Sequence, residues 1–168
     1  MNLEKEIDKL YGAPGEEFVA RRKALAQKLR KEGERASAMR VEDLRRPTAA
    51  AAVVNRLVRE ERMNVRALLA AGERLRQAQA ELLRGGSADA VHKATADERK
   101  ALAALLATAR QGGAGDVVLR KVEQTLRAVA VDEEARGLFE QGRLTNELEP
   151  VGFGFGPEQA PRRRRSKK

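Results

Sequence analysis

NVRALLAAGERLRQAQAELLR, residues 64–84, places Val65, Leu68, Gly72, Leu75, Gln79 and Leu82 at alternating spacings of three and four. That is the seam of a long amphipathic helix of coiled-coil type. It is predicted to start at an Asn64 cap and to stop at Gly85-Gly86. Gly72 in mid-seam allows another helix to come close. A seam of this kind also offers a homodimer interface across residues 65–82.

The same period continues on both sides. Downstream, Ser87 can cap the next segment. Thr95 and Glu98 form a capping-box pattern ahead of Leu102, Leu105, Leu106 and Ala109. The span 88–111 therefore reads either as one helix or as a short helix, 88–94, followed by a second. GGAG at 112–115 breaks it, and Asp116 is the expected cap of a helix 117–131 carrying Leu119, Val122, Leu126 and Val129. Asp132 caps a short segment 133–141 with Ala135, Leu138 and Phe139 on one face, and Gly142 closes it. Upstream, residues 2–10 read as a short helix. Pro14 then suits the first turn of a helix 14–33, with Glu16 and Glu17 favourable at its positive end and Gly33 past its end. Its stripe is Tyr11, Phe18, Leu25 and Leu29. Residues 34–46 make a further helix carrying Met39, Val41 and Leu44, ended by Pro47. Thr48 caps AAAAVVNRLVRE.

Composition agrees. Among 168 residues there are 29 Ala and 19 Leu, against one Ile, one Tyr, four Phe and no Trp, so helix formers dominate and strand formers are scarce. The expected fold is all-α: an antiparallel bundle of five to seven helices over residues 1–149, followed by a disordered basic tail over 150–168.

Several chemistries are excluded. Without Cys there is no disulfide framework, zinc ribbon or thiol nucleophile. One His, His92, with Asp89 a turn earlier, does not make a metal site. GGAGD at 112–116 follows a helix and lacks the Lys-Ser/Thr ending of a phosphate loop. No Ser–His pairing presents itself, so no catalytic residue, metal or cofactor is expected. The longest uncharged stretches are nine residues, 47–55 and 101–109. A membrane helix needs about 20 apolar residues, so no membrane partner is expected. The opening MNLEKEIDKL mixes acids and bases, unlike a secretory leader, and a cytoplasmic location follows as the expectation.

Charge is the most informative feature. There are 34 Lys and Arg against 25 Asp and Glu, a net +9. Residues 157–168 hold six of those cations and one Glu, so 6 − 1 = +5 of the +9 lies in twelve residues. Arg162, Arg163, Arg164, Arg165, Lys167 and Lys168 form a run suited to polyphosphate. Phe153 and Phe155 in GFGFG lie just upstream, where they could stack on unpaired bases or fold back over the bundle. On the 14–33 helix and just past it, Arg21, Lys28, Lys31 and Arg35 fall within one quadrant, either a phosphate-contacting stripe or an ordinary solvated face. Arg outnumbers Lys 24 to 10, which fits both phosphate recognition and GC-rich codon usage. Arg22 sits among apolar neighbours and is expected to snorkel or to pair with Glu42 or Asp43. Asn55, within an apolar segment, needs a hydrogen-bond partner and is expected to fix helix register.

Leu10-Tyr11-Gly12 with Pro14 and Glu17-Phe18, then Leu44-Arg45-Arg46-Pro47-Thr48, Val54-Asn55-Arg56-Leu57, Gly142-Arg143-Leu144-Thr145 and Gly152-Phe153-Gly154 together resemble a family of all-helical hypothetical proteins from high-GC bacteria. The resemblance spans roughly residues 3–156. It implies a helical bacterial domain and brings with it no activity, cofactor or ligand.

The function expected from these residues is non-enzymatic, sequence-nonspecific association with DNA or RNA through the basic tail, in the cytoplasm or on the nucleoid. The alternative is a protein-interaction or assembly module with a solubilising tail.

Overall fold

The computed structural model describes residues 2–149, and these form eight α-helices: α1 (Leu3–Tyr11), α2 (Phe18–Lys31), α3 (Arg35–Glu42), α4 (Ala49–Glu60), α5 (Arg62–Leu83), α6 (Ala88–Gln111), α7 (Asp116–Val131) and α8 (Glu133–Glu140). The all-α expectation holds, but the number of helices exceeds the expected five to seven. The excess lies in short helices. α1, α3 and α8 have nine, eight and eight residues, too few to persist alone in water. Each survives because it buries apolar residues: Ile7, Leu10 and Tyr11 from α1, Ala38 and Val41 from α3, Ala135 and Phe139 from α8.

Two apolar clusters result. α1–α3 enclose Ile7, Leu10, Tyr11, Phe18, Ala26, Leu29, Ala38 and Val41. The Tyr11 and Phe18 rings meet at 5.1 Å in a tilted pair. α4–α8 enclose a larger cluster around Val54, Leu57, Leu68, Leu105, Leu126 and Phe139. α5 and α6 run antiparallel, with Arg74 opposite Asp97 at 3.3 Å and Thr108 opposite Glu61 at 3.2 Å. α7 packs on α4, α5 and α6, and α8 on α7 and α4.

The 64–84 seam is used inside the chain. Val65, Leu68, Gly72 and Leu75 are buried, so they are not available to a second copy. Only Gln79 and Leu82, at its far end, face solvent. A Cβ on Gly72 would lie 2.9 Å from the Ala130 carbonyl carbon of α7, and closer still to its oxygen. The glycine is what lets α5 and α7 touch.

Local details depart from the sequence reading at several helix termini. α2 begins at Phe18. Pro14 to Glu17 form a turn closed by Glu17 N–H donating to Pro14 O at 3.0 Å, and Glu17 instead binds Arg21. α3 stops at Glu42, and two carbonyls past its end are bonded by distant side chains: Leu44 O by Arg22 Nη1 at 2.5 Å and Arg45 O by the Tyr11 hydroxyl at 3.2 Å. Arg22 therefore pairs with a carbonyl, whereas Glu42 binds Arg30 at 2.7 Å. Met39, expected on the apolar face, is 63% exposed. α5 starts two residues before Asn64, whose side chain donates back to Glu61 Oε2 at 2.7 Å. Residues 88–111 are one helix, since Thr95 spends its hydroxyl on Val91 O, one turn back. Gly115, not Asp116, precedes the first turn of α7. The caps Thr48, Ser87 and Asp132 are as expected, each accepting a backbone N–H.

Substituting Gly72→Ala should lower stability by about 2–3 kcal/mol, because the wall it meets is backbone and cannot rotate away. Gly137→Ala, with open space around it, should raise stability by about 0.5–1 kcal/mol through helix propensity alone. Urea unfolding of both variants checks the pair.

Candidate nucleic-acid interface

The sequence-predicted cations divide into those the structure describes and those beyond it. Arg162, Arg163, Arg164, Arg165, Lys167, Lys168, Phe153 and Phe155 lie outside the described residues, as does the whole 150–168 tail. The stripe Arg21, Lys28, Lys31 and Arg35 is described, and all four side chains are exposed. They do not share one helix. α2 ends at Lys31, Gly33 turns with φ +81°, and Arg35 opens α3. Arg21 is held by Glu17, with Nε donating to Oε2 at 2.8 Å. Lys28, Lys31 and Arg35 have no carboxylate within 4.0 Å among the described residues, although Glu6 feels the Lys28 charge. Lys28 and Lys31 on α2 and Arg35 on α3 are therefore exposed cations without a salt-bridge partner among the described residues.

Other arginines have a different task, which the sequence did not reveal. α1 presents Glu4 and Asp8 to guanidinium groups from three distant parts of the chain. Arg143 donates from Nε to Asp8 Oδ1 at 2.8 Å and from Nη1 to Glu4 Oε2 at 2.7 Å. Arg40 of α3 meets Glu4 Oε1 at 2.5 Å. Arg59 of α4 donates to three carbonyls: Asn55 O at 2.8 Å, Gly142 O at 2.7 Å and Asp8 O at 3.1 Å. A Cβ on Gly142, which has φ +62°, would crowd the Arg59 guanidinium. The segment after α8 is thus clamped to α1 and α4.

Asn55 completes the clamp. It is fully buried. Its Nδ2 donates to Leu144 O at 2.9 Å, and Leu144 N–H donates to its Oδ1 at 2.8 Å. It was expected to fix the register of one helix against another; instead it holds a non-helical strand of chain. Thr48 N–H donates to Thr145 O at 3.0 Å, Lys121 meets Glu147 at 3.3 Å, and Leu148 N–H donates to Thr125 Oγ1 at 3.1 Å. Residues around 10–12, 45–48, 55–59 and 142–145 meet here.

The electrostatics follow from these contacts. Hydrogen bonds from Arg143 and then Arg40 hold the Glu4 carboxyl below the usual 4.5. Burial works against the Arg143 charge, but Glu4 and Asp8 outweigh it and raise its pKa. Burial lowers the Arg59 pKa, opposed by Asp8. Burial also raises the Tyr11 pKa, keeping its hydroxyl a donor to Arg45 O. The Glu147 carboxyl is lowered by its own backbone amide and further by Lys121.

These groups orient backbone and helices. His92 is exposed, and among the described residues no three His, Cys, Asp or Glu side chains are grouped to hold a metal ion. No described helix is long and apolar enough to cross a membrane.

Asn55→Ala should cost about 2–4 kcal/mol, since it strands the buried amide and carbonyl of Leu144 together; urea unfolding measures it. Acid sensitivity follows from the sign of the Glu4 shift. A carboxyl whose folded pKa is depressed stabilises the fold above its unfolded value, 4.5, and loses that contribution as pH falls through the folded value. The urea midpoint should therefore drop below about pH 4.5, and Arg143→Gln should drop less steeply than the parent because part of that stabilisation is already gone.

No family model, curated protein or solved structure matches this chain.

Proposed function

We propose that this protein is a non-enzymatic, sequence-nonspecific nucleic-acid-associated protein that binds DNA or RNA mainly through Arg162, Arg163, Arg164, Arg165, Lys167 and Lys168. The observation that carries the reading is the charge distribution. Five of the nine net positive charges fall within residues 157–168, while the other 156 residues carry 28 − 24 = +4. A dense cationic run binds polyphosphate by releasing condensed counterions and needs no base contacts. The unpaired Lys28, Lys31 and Arg35 supply a second, weaker contact on a rigid face. The neighbouring arginines Arg40, Arg59 and Arg143 are committed to carboxylates and carbonyls and are not counted as phosphate ligands.

A second reading has its own observation. At the far end of the α5–α6 hairpin, Leu83 is 91% and Leu82 41% exposed, and residues 79–90 are exposed throughout. An assembly module would use that tip, with the tail as a solubiliser.

Electrophoretic shifts with DNA and RNA across a salt series test the proposal. Six engaged cations give a slope of log K against log salt of about −5 on duplex DNA. Removing residues 161–168 should abolish most binding. Salt-insensitive binding, or full binding without those residues, overturns the reading. A stable oligomer by light scattering that shifts neither nucleic acid favours the assembly module.

A further inference from the structure

Between the α1–α2 loop, the outer face of α4 and the Gly112–Gly115 loop lies a cleft of about 670 Å³. Pro47, Ala49, Ala52, Val53, Ala114 and Val118 give it apolar walls, with Arg46 and Arg56 among its polar lining. We propose that the cleft is the docking site of this chain's own Gly152-Phe153-Gly154-Phe155-Gly156 segment, which seats both phenylalanine rings in it.

Three observations point to that occupant. The first is where the described chain ends. Thr145 is bonded to Thr48, between the cleft residues Pro47 and Ala49, and Glu147 to Lys121, one turn along α7 from Val118. Leu148 is held on Thr125. Seven residues of helix separate Thr125 from Val118, about 10 Å at 1.5 Å per residue. Phe153 and Phe155 follow Glu149 by four and six residues, a reach of roughly 13–22 Å. Residues 145–148 run from the cleft edge along α7 to Thr125, so the following residues must turn back along α7, and at that reach the cleft is within range.

The second is the pattern of the segment. In extended chain, residues two apart share a face. Phe153 and Phe155 then project together, and Gly152, Gly154 and Gly156 leave the opposite face bare. Such a strip can lie close against a floor of small side chains, and Ala49, Ala52 and Ala114 are small. The third is the fate of the other aromatics. Tyr11, Phe18 and Phe139 are 4%, 0% and 0% exposed. Only Phe153 and Phe155 remain of the five aromatic residues in the chain, and each ring gains by leaving water.

Docking has a consequence for charge. It places the cations at 162–168 a few residues beyond a cleft flanked by Arg45 and Arg46, both exposed and without a carboxylate within 4.0 Å among the described residues. The inference stands whether or not that charge meets nucleic acid, and its test uses the full chain with no nucleic acid present.

The chain contains no Trp, so Phe155→Trp gives a single reporter. Its emission should be blue-shifted, and its quenching by acrylamide several-fold weaker, relative to the same chain in denaturant. Adding Ala52→Glu, or separately Val118→Lys, should return quenching to the denatured level while helical circular dichroism is unchanged. A reporter exposed from the start overturns the proposal, as does one that stays protected after both wall substitutions. Amide resonances supply a check without tryptophan. Phe153→Ser with Phe155→Ser should move the signals of Val53 and Val118 and spare those of Leu82 to Ser87. Unmoved cleft signals also overturn it.

Discussion

The side-chain amide of Asn55 replaces a missing strand partner. Residues 142–148 cross α4 without helical hydrogen bonds of their own, so their backbone groups need partners from elsewhere. Asn55 matches both polar groups of Leu144 at once. Leu144 can then be 5% exposed, and Leu148 can pack against the larger cluster. Loss of that pairing would release Gly142 and Arg143 from their places, and with them the carbonyl and guanidinium that tie this segment to Arg59 and to α1.

That tie is what joins the two apolar clusters. α1–α3 and α4–α8 each bury their own hydrophobic residues, and the zone between them is polar. Arg59 and Arg143 meet Asp8 there, and Arg143 also meets Glu4. The geometry is directional. Each guanidinium offers a planar fork of donors, so the angle between α1 and α4 is set by where the carboxylate and carbonyl oxygens lie. The contacts are partly exposed, with Arg143 and Arg59 side chains 25% and 27% accessible. Their value is therefore in positioning more than in net stability.

The same feature shapes the functional reading. A protein with 34 basic side chains invites every arginine to be read as a phosphate ligand. The fold sorts them. Arg22, Arg59 and Arg143 are spent on carbonyls and carboxylates, whereas Lys28, Lys31 and Arg35 are exposed and have no carboxylate partner among the described residues. The stripe expected on the 14–33 helix and just past it is divided between α2 and α3, because Gly33 turns the chain between Lys31 and Arg35.

What the sequence determined by itself was local: the helical period, and the stops and caps that bound it. Thr48, Ser87 and Asp132 cap helices as their side chains allow over two or three residues, and Leu102, Leu105, Leu119, Val122, Leu126 and Val129 are buried as their spacing requires. The tertiary structure alone decided the rest. It gave Asn55 a backbone partner 89 residues away. It also set Arg143 against Glu4 across 139 residues. Periodicity reports which face of a helix is apolar. It is silent on which distant carbonyl will meet a buried donor, because that depends on how the packed helices bring remote backbone into reach.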